Sequence, residues 1–128
     1  MLVILDTNFL IYCAKNKLDY VEEIGNLINE GYFLVVPMQV VNELNRLKED
    51  KWKKVNGKDK AAAELALKLI QHNKVKIIKT EGKTVDDAIV NLANSDVKNI
   101  VCTLDRGMRM SLPRVILVNK HKKLMMTK

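Results

Sequence analysis

The sequence predicts an α/β domain in which a parallel sheet carries helices on both faces. Three observations lead there. Five short, largely apolar runs recur along the 128 residues: Leu2–Leu5, Phe33–Val36, Val75–Ile78, Asn99–Cys102 and Val115–Val118. Runs of this length suit strands covered on both faces. Segments with helical spacing of apolar residues lie between them, and strands alternating with helices imply βαβ units. At 48% hydrophobic residues, the chain can bury a core as one domain spanning 1–128.

Each element has its own warrant. After the first run, Asp6 and Asn8 break the strand. Val21, Ile24, Leu27 and Ile28 share a helical face, which predicts one helix over about 9–29 with Gly31 as its stop. Pro37 ends the second strand. A helix from about Met38 carries the stripe Val40, Val41, Leu44 and Leu47. Residues 48–60 read as an exposed Lys-rich loop with a turn at Asn56-Gly57. A helix over about 61–72 presents Ala62, Leu65, Ala66, Leu69 and Ile70 on one face. Thr84 opens another helix with Ile89, Val90 and Ala93. A short helical stretch follows Asp105. Residues from about 119 to 128 read as a basic, Met-rich tail.

The charge is +7 overall and unevenly placed. Residues 1–97 hold 14 Lys/Arg and 14 Asp/Glu, whereas residues 98–128 hold eight basic residues against the single acid Asp105. A concentrated basic surface attracts polyanions, although a merely solvated tail would have the same composition. Arg106 and Arg109 are candidate phosphate contacts. Lys120, Lys122 and Lys123 are candidates for nucleic-acid contact or plain solvation. Trp52 could stack on a base or serve as a partly buried anchor. Cys13 and Cys102 lie in apolar stretches and read as buried free thiols, which suits a reducing, cytoplasmic setting. His72 and His121 read as surface residues, and the paired methionines as packing. No leader is visible, since the opening apolar run is cut by Asp6. No stretch approaches the roughly 20 apolar residues of a membrane span.

The acids carry the chemistry. Asp6 directly follows strand one, and Asp105 follows strand four in Thr103-Leu104-Asp105. Glu43 lies one turn into the helix after strand two, and Asp86 and Asp87 open a helix. Strand ends and helix starts fall on one edge of a parallel sheet, where sites of such sheets form. Gathered carboxylates repel one another, and a divalent cation offsets this. Mg²⁺ or Mn²⁺ would suit oxygen ligands and needs few of them, because such ions keep several waters. A metal so held supports phosphodiester hydrolysis.

Structural readings stand beside each role. Asp6 and Asp105 could be N-caps, and Glu43 a solvated helix residue. Thr84-Val-Asp-Asp87 resembles a capping box, which accounts for Asp87 and leaves Asp86 for the site, with Asp87 as its alternative. Asn8 and Thr103 are candidate supporting residues, or satisfied turn residues.

With these residues in view, the chain resembles the PIN-domain nucleases. The matching blocks are Val3-Ile-Leu-Asp-Thr-Asn8, Val41-Asn-Glu-Leu44, Asp86-Asp-Ala-Ile89 followed by Ala93, and Thr103-Leu-Asp-Arg106. They occur in family order and cover almost the whole chain. The resemblance implies a three-layer α/β/α sandwich with a central parallel sheet. It implies catalytic, metal-holding acids at Asp6, Glu43, Asp86 and Asp105, with Mg²⁺ or Mn²⁺ as cofactor. It also implies endonucleolytic hydrolysis of RNA that leaves a 5′-phosphate and a 3′-hydroxyl. Two branches fit: compact proteins similar to the endonucleases of ribosomal RNA processing, and VapC-type toxins of toxin–antitoxin pairs. The partners implied are RNA, a second copy in a homodimer, and an antitoxin or a ribosome-assembly factor. The basic C-terminus and the Lys-rich loop tilt the reading towards RNA processing.

Other classes fit less well. A receiver-like phosphorylation switch needs an acid after strand three, where the sequence has Ile77-Ile-Lys-Thr80. A nucleotide-binding domain needs a Gly-rich loop, and the five glycines are scattered. A non-catalytic RNA-binding module, in which the acids only cap helices, remains the main rival.

Overall fold

The computed structural model describes residues 1–51 and 54–127. Trp52 therefore lies outside the described residues, as do Lys53 and Lys128. The elements run β1 (Leu2–Leu5), α1 (Thr7–Lys15), α2 (Tyr20–Leu27), β2 (Phe33–Pro37), α3 (Met38–Lys48), α4 (Gly57–His72), β3 (Lys76–Ile78), α5 (Val85–Ala93), β4 (Ile100–Cys102), a 3₁₀ helix (Arg106–Ser111), β5 (Val115–Val118) and β6 (Leu124–Thr127).

Six strands form one sheet in the order β3-β2-β1-β4-β5-β6. The first five are parallel, and β6 pairs antiparallel with β5. The chain steps outward from β1 through β2 to β3, then returns to the other side of β1 with β4. A crevice therefore opens between the carboxyl ends of β1 and β4, the point where the strand order reverses. Val3, Ile4 and Leu5 of β1 and Ile100, Val101 and Cys102 of β4 are fully buried, as the apolar runs require. The core is one continuous cluster that also takes in Phe9, Ile24, Leu44, Ile89 and Ile116. Cys13 and Cys102 are free and buried within it. Burial pushes the Cys13 thiol up to about 12 and that of Cys102 well up, so both remain protonated packing groups.

Three readings of the sequence are corrected. The single helix over 9–29 is two helices. Asn16 caps α1, Lys17 takes a left-handed conformation (φ 52°), and Asp19 opens α2 by accepting from the Glu22 amide. Second, α4 begins a turn earlier than apolar spacing suggested. Asn56 is its N-cap rather than part of a turn, and accepts from the Asp59 amide at 2.8 Å. Third, residues 124–127, within the stretch that reads as a tail, form β6. Asn119 makes the reversal possible: its side chain accepts from the amides of His121 and Lys123, and Lys122 has φ 61°. Leu124 is buried beneath the turn. No helix among the described residues is long and apolar enough to cross a membrane.

Candidate active site

Asp6 is the first residue beyond β1. Its amide donates to the Cys102 carbonyl, which continues the β1–β4 ladder by one more bond, and its carbonyl accepts from Leu10 to start α1. The backbone thus fixes the side chain in the crevice between the two strands. Asp6 is 3% exposed. Its Oδ1 accepts from the Thr7 amide at 2.7 Å, and its Oδ2 from the Thr103 hydroxyl at 2.6 Å. Those two bonds favour the charged form. Burial works against it and prevails, aided by the charges of Asp86 and Glu43, so the carboxyl is pushed up from 3.8 to about 6.

Thr103 links two acids. Its hydroxyl donates to Asp6 and accepts from the Asp105 amide at 3.0 Å. Asn8 ties α1 to the same loop, because its Oδ1 accepts from the Leu104 amide at 3.0 Å. The sequence suggested supporting roles for both, and both join the β1 end to the β4 end. Asp105 also caps the 3₁₀ helix by accepting from the Gly107 amide at 2.8 Å, so its structural reading holds as well.

Asp6, Glu43 and Asp86 line one cleft of about 620 Å³ with Thr7, Asn8 and the apolar walls Ile11, Tyr12 and Leu47. Asp105 and Asp87 do not line it. They face a neighbouring hollow, and Asp86 borders both. Burial, then the charges of Asp105, Glu43 and Asp87, raise the Asp86 carboxyl above its ordinary value. The Thr84 hydroxyl accepts from the Asp87 amide at 3.1 Å, as a helix N-cap should. Asp86 is therefore the helix-start acid that the cleft shares with Asp6.

The loop before α5 is held from α3. The Gln39 amide nitrogen donates to the carbonyls of Thr80 and Gly82 at 2.8 and 2.9 Å. Gly82 has φ +143°, and a Cβ there would meet the Ala88 amide nitrogen at 2.5 Å. Only glycine lets this loop pass so near the start of α5. Gln39, one turn before Glu43, thus couples the helix of Glu43 to the helix of Asp86. No motif announced Gln39; its one signal was its place on the same helical row as Glu43.

Two further cleft residues were given no role of their own by the sequence. The Thr7 hydroxyl is buried beside Asp6 and has no hydrogen-bond partner among the described residues. Lys15, at the end of α1, reaches into the cleft and pairs with Asp59, in the first turn of α4. The basic candidates are more dispersed. Arg106, Arg109, Lys120, Lys122 and Lys123 are exposed and do not line the cleft. The β5–β6 turn that carries the three lysines extends from the carboxyl end of β5, the same sheet edge as Asp6 but two strands away. Lys98 and Arg114 lie instead at the amino edge, where the Arg114 guanidinium donates to the Lys98 carbonyl at 2.6 Å. The basic excess is thus divided between both edges of the sheet.

A parallel α/β sheet with one buried acid, Asp6, at its strand-order reversal and further acids around the same cleft defines the class of fold, and the family can be stated more closely. Residues 3–118 match the model of the PIN-like domain, and the chain belongs to the PIN-domain nuclease family. It is 34% identical over 110 residues to Ribonuclease VapC4 of Methanocaldococcus jannaschii, covering 86% of this chain and 81% of that protein. It is 36% identical over 80 residues to Ribonuclease VapC9 of Archaeoglobus fulgidus, covering 62% of this chain and 54% of that protein. Its fold is similar to the PIN domain endonuclease Utp24, with a TM-score of 0.75 at 20% identity over 98% of this chain and 90% of that one. It is also similar to VapBC2 from Rickettsia felis, solved bound to a promoter DNA fragment. There the TM-score is 0.54 at 14% identity, over 88% of this chain and 94% of that one. These likenesses bear out the three-layer α/β/α fold.

Proposed function

We propose that this protein is a metal-dependent endoribonuclease whose acidic site comprises Asp6, Glu43, Asp86 and Asp105. One observation carries the reading. A buried carboxylate, Asp6, is held at the sheet's switch point facing two further acids, at a standing electrostatic cost. Such a cost at a cleft is a mark of function.

The donors suit a hard divalent cation. They are all oxygens, Asp6 is desolvated, and the Thr7 hydroxyl beside it has no partner among the described residues. Among the described residues no three His, Cys, Asp or Glu side chains make a ready-made ion site. An ion such as Mg²⁺ or Mn²⁺ retains several waters and takes few direct protein ligands. Asp6, Asp86 and Glu43 would hold it, with Asp105 acting from beside Asp86. When bound, the ion would supply an acidified water and charge neutralisation at phosphorus. The chain itself supplies position: Thr103 orients Asp6, and Gln39 ties the helix of Glu43 to the loop before that of Asp86. Arg106, Arg109 and the lysines of the β5–β6 turn would hold the RNA backbone beyond the cleft.

Two biological roles fit, in ribosomal RNA processing or as a VapC-type toxin. Likeness to Utp24 at 20% identity concerns the fold. The relatives at 34% and 36% identity are both named VapC ribonucleases, and that observation favours the toxin role with an antitoxin partner. The buried free thiols suit a reducing cytoplasm. The test is cleavage of a fluorescently labelled single-stranded RNA with Mn²⁺, with Mg²⁺ and with EDTA. Cleavage that needs metal and vanishes in a folded Asp6→Asn protein is expected. A fully active, folded Asp6→Asn protein would overturn the assignment of the site.

A further inference from the structure

We infer that Lys15 is a phosphate-binding residue of the cleft, held in reserve by Asp59, and that RNA binding exchanges one anionic partner for the other. The inference rests on the nuclease reading above and deepens it by naming how the substrate is engaged.

The cleft wall is strongly acidic: Asp6, Glu43, Asp59 and Asp86 line it, and Lys15 is the one basic residue among its described lining. An RNA phosphate entering this space meets four carboxylates and one lining cation, Lys15, while Arg46 pairs with Glu43 at 3.9 Å from outside the lining. The arginines and lysines of the C-terminal quarter cannot substitute, because they lie outside the cleft. Lys15 ends α1, the helix that Asp6 begins, so its stem is anchored to the same element as the site.

Its ion pair is of a kind that exchanges readily. The two side chains are 41% and 32% exposed, so water reaches the lysine even though the Asp59 Oδ1 it meets is buried, and ion pairs so exposed are weak. Lys15 Nζ is the partner of Asp59 Oδ1, and that oxygen has no other among the described residues. A phosphate offers Lys15 an equivalent anion, and Lys binds phosphate as a point charge without demanding a fixed fork of donors. Asp59 then competes with RNA for Lys15 and adds its own repulsion to the incoming backbone.

A purely structural tie between α1 and α4 is the competing explanation. Lys15 at a helix C-terminus and Asp59 at a helix N-terminus also satisfy the helix dipoles. The two accounts differ in sign. A structural tie makes both Lys15→Gln and Asp59→Asn less stable and leaves RNA affinity alone. The exchange makes them act oppositely on RNA.

The experiment is fluorescence anisotropy of a short labelled single-stranded RNA in EDTA, with Kd measured for wild type, Lys15→Gln, Lys15→Arg, Asp59→Asn and the Lys15→Gln/Asp59→Asn double variant. KM for Mn²⁺-supported cleavage is measured in parallel. Asp59→Asn is expected to tighten binding about fivefold and Lys15→Gln to weaken it about fivefold, the scale of one charged contact. Lys15→Arg should bind like wild type and the double variant should bind more weakly than wild type. KM should follow Kd while kcat stays within about twofold. Unchanged binding in either single variant, or weaker binding in Asp59→Asn, overturns the exchange. If wild type cleaves RNA under metal and the variants leave Kd and KM unmoved, this inference alone falls. If wild type neither binds nor cleaves RNA, the nuclease reading falls with it.

Discussion

Two buried polar residues stand at opposite ends of neighbouring strands, Asp6 at the carboxyl end of β1 and Asn99 at the amino end of β4. Asn99 is 1% exposed and fully engaged. Its Oδ1 accepts from the Leu2 amide at 2.9 Å, while its amide nitrogen reaches the Leu92 and Ala93 carbonyls and the Ser95 hydroxyl at 3.2–3.3 Å. It is neutral, and it locks the start of β1 to the end of α5. Asp6 is equally hidden and also hydrogen-bonded, yet its charge remains badly solvated. Buried polarity that is fully satisfied holds the fold together. Buried charge left short of compensation marks the end of the sheet where a ligand is expected. The sheet supports both because its amino edge closes tightly, whereas its carboxyl edge divides at the β1–β4 reversal.

The contrast can be broken by exchanging charge at one end and hydrogen bonds at the other. Asp6→Asn should lower metal-dependent cleavage by at least about a hundredfold, as expected for loss of a group that positions a metal. Asn is nearly isosteric and uncharged, so metal-free unfolding in urea should show equal or greater stability. A large loss of stability would mean that Asp6 is structural, like Asn99.

The pH dependence follows from the same carboxyl. The rise from 3.8 to about 6 in the fold corresponds to about 3 kcal/mol. Below about pH 4 the group is protonated whether folded or unfolded, and the fold bears no penalty. As pH rises the unfolded chain releases its proton first, so metal-free stability should fall between about pH 4 and pH 6 and then level off. Urea titrations across that range check this, and the Asp6→Asn protein should lack that component.

At the other end, Asn99→Ala removes the acceptor of the Leu2 amide and a donor to the Ala93 carbonyl in a buried place, while the Leu92 carbonyl keeps its bonds from Ser95. It should cost about 2–3 kcal/mol in urea unfolding, with the specific activity of the folded fraction unchanged. Thr103→Val should do the converse. It keeps the shape but removes the 2.6 Å hydrogen bond to Asp6, and should weaken Mn²⁺ affinity about 10- to 100-fold by calorimetry. The smallest effect is expected at Asp87, which lies outside the cleft. Asp87→Asn should retain cleavage within a few-fold, whereas Asp86→Asn should not.

The five parallel strands were legible because a strand buried on both faces needs an unbroken apolar run, and Leu2–Leu5 and Val115–Val118 have one. Leu124–Thr127 was not legible. As an edge strand beside lysines, its Leu-Met-Met-Thr resembles a tail until β5 is there to pair with it. The break between α1 and α2 was hidden because it depends on a left-handed lysine and a capping aspartate, while the apolar spacing continues on either side. At the site, Asp6, Glu43 and Asp86 could be gathered from strand ends and helix starts alone. The preference for Asp86 over Asp87 came from a capping argument, which the Thr84 hydrogen bond to the Asp87 amide reproduces. Gln39 and Lys15 were beyond reach, because each matters through a contact across the fold and carries no local pattern, whereas Thr7 lay in the Val3–Asn8 block without a role of its own.

The most direct test of the central claim needs no RNA. Thermal unfolding of wild type and Asp6→Asn at neutral pH should be followed with EDTA and with increasing Mn²⁺. If the buried Asp6 charge is part of a cation site, Mn²⁺ should raise the Tm of wild type progressively, because an ion that binds the folded chain stabilises it by mass action. The response in Asp6→Asn should be much smaller. A wild-type Tm indifferent to Mn²⁺, or an equal rise in both proteins, would contradict the claim.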